Sequence, residues 1–172
     1  MKMRKLFLLA GTLSVLSATS ALPAGAATPT TFEVTAGALS ISAPTASVSL
    51  GTQVASNGSS TISGPLGVVT VSDLRGGSTT WVSSVISTSF TPTPTGTANP
   101  ASNVSYAAGT ITQSANLVAT GVDAANLTGV SPVVNGTSSG VSTGSWNPSI
   151  SVFVPANSAP GIYSATITHS VA

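Results

Sequence analysis

Cysteine is absent from this chain of 172 residues, which excludes disulfides, thiolate nucleophiles and cysteine-ligated zinc. Charge is almost as scarce, with four Lys or Arg, three Asp or Glu and one His. Three of the four cations, Lys2, Arg4 and Lys5, sit at the extreme N-terminus, so the rest of the chain sets Arg75 against Glu33, Asp73 and Asp123, a net charge of one minus three, or minus two. A surface with one cation cannot neutralise a row of phosphates, which argues against nucleic acid and against electrostatic attachment to anionic lipid. One His and three dispersed acids supply no metal-ligand cluster, and neither a metal nor a cofactor is expected. No 3.6-residue period is sustained beyond the N-terminal segment, and no run reaches the roughly 20 apolar residues that a membrane-spanning helix needs.

What is present begins with a processing signal. Lys2, Arg4 and Lys5 precede an apolar run from Leu6 to Leu16, and the small residues Ala24, Gly25 and Ala26 follow Pro23. This is the plan of a secretory signal peptide over residues 1–26, with cleavage near Ala26 and export of the remainder. No membrane span is expected after processing, and no sortase-type tail. The remainder is low in charge but 41% of the chain is apolar, so disorder is not expected; its polarity comes from Ser, Thr and Asn.

From Thr31 onward the pattern is that of strands. Phe32, Val34 and Ala36 alternate with polar neighbours, Gly37 interrupts, and Leu39 and Ile41 resume; Pro44 precedes Val48 and Leu50. The organising stretch is Leu66–Phe90. Val69 and Val71 precede Arg75-Gly76-Gly77-Ser78, which suits a hairpin-like reversal, and Val82, Ile86 and Phe90 share one parity after it. Gln53–Gly64 reads as a loop around a short strand, and the proline-rich segment after Phe90 as an extended connection. Strands are expected again at 103–107 and 110–119, with only one or two short strands between Thr120 and Ser145. At the end, Trp146, Ile150, Val152 and Val154 share a parity that Phe153 lacks, and Tyr163, Ala165, Ile167, His169 and Val171 line one face of a half-buried final strand. Many brief strands divided by Gly and Pro predict an all-β fold over residues 27–172, a single antiparallel β-sandwich, Ig-like in general plan. That region has no Lys to guard its sheet edges, so either Pro and Gly blunt them or edge pairing is part of what the protein does.

Two blocks resemble a known family. In VTVSDLRGGSTTWVSSV, the residues Asp73, Arg75, Gly76, Gly77 and Trp81 fall in the order found in WxL-type surface domains of Gram-positive bacteria, and VPANSAPGIYSATITHSV is similar to that family's closing segment. The chain departs from the family where Ser83 stands for the Leu of the first motif, and where His169 and Val171 stand for the Trp and Leu of the second. The resemblance implies an exported all-β domain that attaches non-covalently to peptidoglycan, with Trp81 and His169 at the motif positions.

The candidate ligand-binding residues are Trp81, His169, Arg75, Asp73 and Tyr163. An exposed Trp81 ring could stack on a sugar or peptide stem; a buried one would be packing. Asp73 and Arg75, two apart, suit a salt bridge that rigidifies the turn, or a ligand grip. His169 lies on an apolar strand face, where a packed residue is the simpler reading. Gly136-Thr137-Ser138-Ser139-Gly140 spells the nucleophile-elbow string, but the flanks lack the strand and helix that an elbow needs, and no catalytic residue is assigned. The expectation is a non-enzymatic protein of the cell envelope, secreted or on the wall, whose partners are peptidoglycan or another cell-wall polymer and other surface proteins. The alternative is a subunit that self-assembles into a surface fibre or coat.

Overall fold

Alternation of apolar and polar residues in short runs builds the described part of the chain almost entirely from strands. The structure, a computed structural model, describes residues 25–172, so the predicted signal peptide lies almost wholly outside the described residues. Among the described residues thirteen strands form: β1 (Leu39–Ser42), β2 (Ser60–Pro65), β3 (Val69–Asp73), β4 (Thr79–Ser87), β5 (Thr91–Thr93), β6 (Val104–Ala107), β7 (Ile111–Gln113), β8 (Leu117–Gly121), β9 (Ser131–Ser138), β10 (Ser142–Trp146), β11 (Ser149–Val154), β12 (Ile162–Ser164) and β13 (Ile167–Val171). Every pairing is antiparallel, and the only helical element described is a single 3-10 turn at Ala101–Asn103. No helix among these residues is long and apolar enough to cross a membrane.

The expected all-β, sandwich-like architecture is present, as two broken layers. One sheet has the order β1-β3-β10-β7 and a second β2-β11-β6, and the chain passes directly from β2 to β3, from β6 to β7 and from β10 to β11. The two sheets are therefore successive halves of one layer. The break is closed by Leu66 N donating to Pro148 O at 2.8 Å and by Gly67 N donating to Asn147 Oδ1 at 3.1 Å. Likewise β13-β4-β9-β8 continues into the short pair β12-β5, and Thr88 N donates to Thr166 O at 3.0 Å where the strands break. Residues 25–34 belong to a separate unit and contain no regular element. The strand expected at Phe32, Val34 and Ala36 does not form.

The Arg75–Ser78 turn is not a hairpin either: β3 lies in the first layer and β4 in the second, so the turn is a corner between layers. Parity on β4 also differs from expectation. Trp81, Ser83, Val85 and Ser87 face inward, whereas Val82 is 37% exposed. The longer run at 110–119 is two strands separated by a turn, where Leu117 N donates to Ser114 O at 3.0 Å. Three residues of the proline-rich connection pair as β5, with Pro92 opposite Tyr163.

The core is filled from both layers by Val69, Val71, Val104, Tyr106, Leu127, Val133, Val134, Trp146, Ile150 and Val152 around Trp81. Burying each of the larger aliphatic side chains is worth about 1.5–3 kcal/mol. The indole of Trp81 lies directly over Gly136, its cross-strand partner on β9, and reaches Gly144 of β10 in the opposite layer. A methyl group at Gly136 would collide with the six-membered ring, and one at Gly144 would meet Leu117 Cδ2 at 2.7 Å. The register of β4 against β9 shifts between Ser83 and Ser84, leaving Val133 as the extra residue of a bulge, so that Val133 and Val134 are both buried.

Gly136→Ala should therefore destabilise the fold by about 1–3 kcal/mol, the range for overpacking. Gly129→Ala, where nothing lies within 4 Å of the added methyl, should stay within about 0.5 kcal/mol of the parent. Midpoints of urea unfolding compare the two.

Candidate functional site

The first candidate cluster sits at the layer corner. Asp73 closes β3 with its side chain fully buried, and the following residues turn back over it because Gly76 and Gly77 adopt φ of 72° and 69°. Asp73 Oδ1 accepts from Arg75 N at 3.2 Å and Arg75 Nε at 2.9 Å; Oδ2 accepts from Arg75 Nη2 at 3.0 Å and Thr79 Oγ1 at 2.7 Å. Arg75 Nη2 also donates to Thr80 O at 3.0 Å. The guanidinium holds the Asp73 carboxyl well below the usual carboxylate range; burial opposes this, and the Thr79 hydroxyl and the Arg75 amide add to it. Four donors occupy the roughly four lone-pair sites of a carboxylate, so Asp73 has no capacity left for a ligand or metal. The pair clamps the corner, as one of its two expected roles required.

The second cluster is neutral, with Tyr106 and Trp146 buried and His169 half-buried. Trp146 Nε1 donates to Tyr106 Oη at 2.9 Å, and Tyr106 Oη lies 3.2 Å from His169 Nε2. While it accepts the indole proton, the phenol can donate its own proton to Nε2, an arrangement that pairs with the Nδ1–H tautomer of the imidazole. Burial pushes the Tyr106 phenol up to about 12 and the His169 imidazole below its ordinary value. The three side chains come from β10, β6 and β13, so one chain of hydrogen bonds ties three sheets together. Tyr106 and Trp146 escape a reading by motif because 40 residues separate them; the available signal was that both carry a polar group on a strand's apolar parity.

The five candidate residues do not converge. Trp81 is 2% exposed and cannot stack on a ligand, because the slot between Gly136 and Gly144 takes its ring into the core. His169 pairs with Val85, four residues along β4 from Trp81 and therefore about 13 Å away. Tyr163 lies on β12 and donates its hydroxyl to Ala159 O at 3.0 Å. Ser138, centre of the nucleophile-elbow string, is buried at the end of β9 and hydrogen-bonded to the Ser142 hydroxyl at 2.7 Å, with strand β10 and no helix after it. Two open depressions of about 300 and 330 Å³ lie elsewhere, and neither contains any of the five. No group of His and acidic residues able to hold a metal occurs among the described residues.

A different surface emerges from strand register. On the outward side of the sheet β1-β3-β10-β7, Ser40 stands beside Ser72 and Thr143, and Ser42 beside Thr70, Ser145 and Thr112. The result is two rows of hydroxyls, roughly 4.8 Å apart across the strands and roughly 6.7 Å apart along them. No charged side chain interrupts the rows, and among the described residues none of these hydroxyls is bonded to another protein group. The same hydroxylic character continues on the outer side of β2-β11-β6, but there Ser63 and Ser151 bond to each other at 2.8 Å. Comparison with known proteins places no relative beside this arrangement: no family model, curated protein or solved structure matches the chain.

Replacing Tyr106 with Phe strands both the indole N–H and the imidazole, and should cost about 1–3 kcal/mol in denaturant unfolding. A His169 value lowered from 6.5 by folding means that the unfolded chain takes up a proton first, so stability is full above about pH 6.5 and declines as the pH falls below it. His169→Gln should flatten that slope. The Asp73 contribution is full above 3.8 and is lost only as the pH falls further, so Asp73→Asn should flatten the acid end alone.

Proposed function

We propose that this is an exported, non-catalytic protein of the cell envelope that attaches non-covalently to peptidoglycan or another cell-wall polymer. The observation that carries the reading is the uncharged double row of uncommitted hydroxyls on the outer side of β1-β3-β10-β7. A glycan strand presents hydroxyls and amides at repeated intervals, and a flat lattice of neutral donors and acceptors meets such a surface through many weak contacts at once. Each hydrogen bond contributes only about 0.5–1.5 kcal/mol net, so the strength comes from number. Attachment of this kind is insensitive to salt, unlike a contact between charged groups. The resemblance of the Asp73–Trp81 and C-terminal blocks to WxL-type domains supports the same reading, with Trp81 and His169 serving the fold and the hydroxyl face serving the contact. A secretory leader at residues 1–26 and the lack of any later cluster of cations fit a protein that works outside the cell and away from anionic lipid.

Co-sedimentation with purified sacculi tests this. Retention should be equal at low and high salt, and should drop in the combined variant Thr70→Val, Ser72→Ala, Thr143→Val, Ser145→Ala, which removes hydroxyls without adding charge or bulk. Full retention of that variant would eliminate the face as the contact surface, and no retention of the parent would eliminate the function.

A further inference from the structure

Residues 31–36 carry the pattern of a strand with one apolar side, Phe32, Val34 and Ala36 alternating with Thr31, Glu33 and Thr35. They nevertheless form no strand, and Phe32 and Val34 are 90% and 83% exposed. Phe32 is the most exposed large apolar side chain among the described residues. A segment patterned to be half buried thus lies exposed.

The described residues also include a strand paired on one side only. The free sides of β1 and β13 lie against each other, as do those of β7 and β8. The free side of β6 is taken by Ala124, which exchanges two backbone hydrogen bonds of 2.9 Å with Tyr106. Strands β5 and β12 have only three residues each. That leaves β2, six residues long, which pairs with β11 on one side and makes no backbone hydrogen bond on the other among the described residues. Leu50 lies against Gly64 of this strand, its Cδ2 3.1 Å and its Cα 3.6 Å from where a β-carbon would sit, with no backbone hydrogen bond between them among the described residues. Its inward Ile62 is half-buried, whereas Ile150 and Val152 on the adjoining β11 are 2% and 3% exposed. No Lys and no other charge guards this edge.

We propose that residues 31–36 of one molecule add as a strand to the β2 edge of a second copy. With Phe32, Val34 and Ala36 turned to the same side as Ile62, the added strand extends the core layer, and Thr31, Glu33 and Thr35 join Thr61 and Ser63 on the outer, hydroxylic side. The main chain supplies affinity and the alternation supplies register. A second copy is favoured over the same molecule because the chain enters β1 at Leu39, opposite Asp73, the end of β3 remote from β2. Donor segment and acceptor edge are different surfaces, so the contact is head-to-tail and propagates into a filament unless the rotation closes a ring. This inference does not depend on wall attachment.

The lack of native cysteine makes the test clean. Exported chain bearing Glu33→Cys is mixed under mild oxidation with chain bearing Thr61→Cys or Ser63→Cys, and a mixed disulfide between copies is the expected product. Light scattering coupled to size exclusion should show mass rising with concentration, abolished in Val34→Pro and Phe32→Asp with the urea midpoint unchanged. A monomer at every concentration, assembly that persists in Val34→Pro, failure of both mixed pairs to cross-link, or a Glu33→Cys/Ser63→Cys variant that closes within one monomer would each overturn the proposal.

Discussion

The volume of one indole dictates much of the interior. Trp81 projects inward from β4 into a gap between two layers, and the strands facing it have given up side chains to make room: Gly136 beside it in the same sheet and Gly144 across from it. Among the described residues its ring nitrogen has no partner, and neither does the Ser83 hydroxyl two residues on, so this part of the core is held by shape and carries two unsatisfied polar atoms. Each such atom costs on the order of 1–3 kcal/mol. The fit of the ring against bare backbone has to outweigh that penalty, which is why a single methyl group at Gly136 matters.

Next to this shape-driven region lies one governed by polarity. Trp146, Tyr106 and His169 satisfy each other in series, and all three are uncharged in the fold. This relay is built from neutral donors and acceptors, avoiding the desolvation penalty that an ion pair would bring. The sole ion pair described joins the fully buried Asp73 carboxylate to Arg75, whose side chain remains 33% exposed. It holds a corner where the chain leaves one layer for the other.

Fold class was legible because alternation survives wherever side chains are large. Val69 and Val71, Ile150 and Val152, and the final strand with Ile167, His169 and Val171 all face the side their parity indicates. The region from Thr120 to Ser145 was nearly silent for the reason given by Trp81: β9 and β10 point Gly136, Ser138, Ser142 and Gly144 inward, and small residues leave no hydrophobic pattern to read. The bulge at Val133 then shifts the parity that remained. On β4 the count of large residues favoured Val82 and Ile86, and the one indole on the opposite parity outweighed them. Of the candidate site, the Asp73–Arg75 pair was readable from spacing, but the tyrosine relay and the hydroxyl rows were not, since both depend on which strands lie side by side. Strand neighbours here are rarely sequence neighbours; only β8 and β9 are consecutive and paired in one sheet.

The fork that closes the corner has a consequence for proteolysis. Beyond residue 24 the chain offers a trypsin-like protease one basic side chain, Arg75, and so one scissile bond, Arg75–Gly76. Such an enzyme must draw the guanidinium into its own acidic specificity pocket. Here the guanidinium is already engaged by Asp73 and by the Thr80 carbonyl, so cleavage must wait until the corner opens. Scarcity of cations and their sequestration together make the domain a poor substrate for proteases that cut after basic residues.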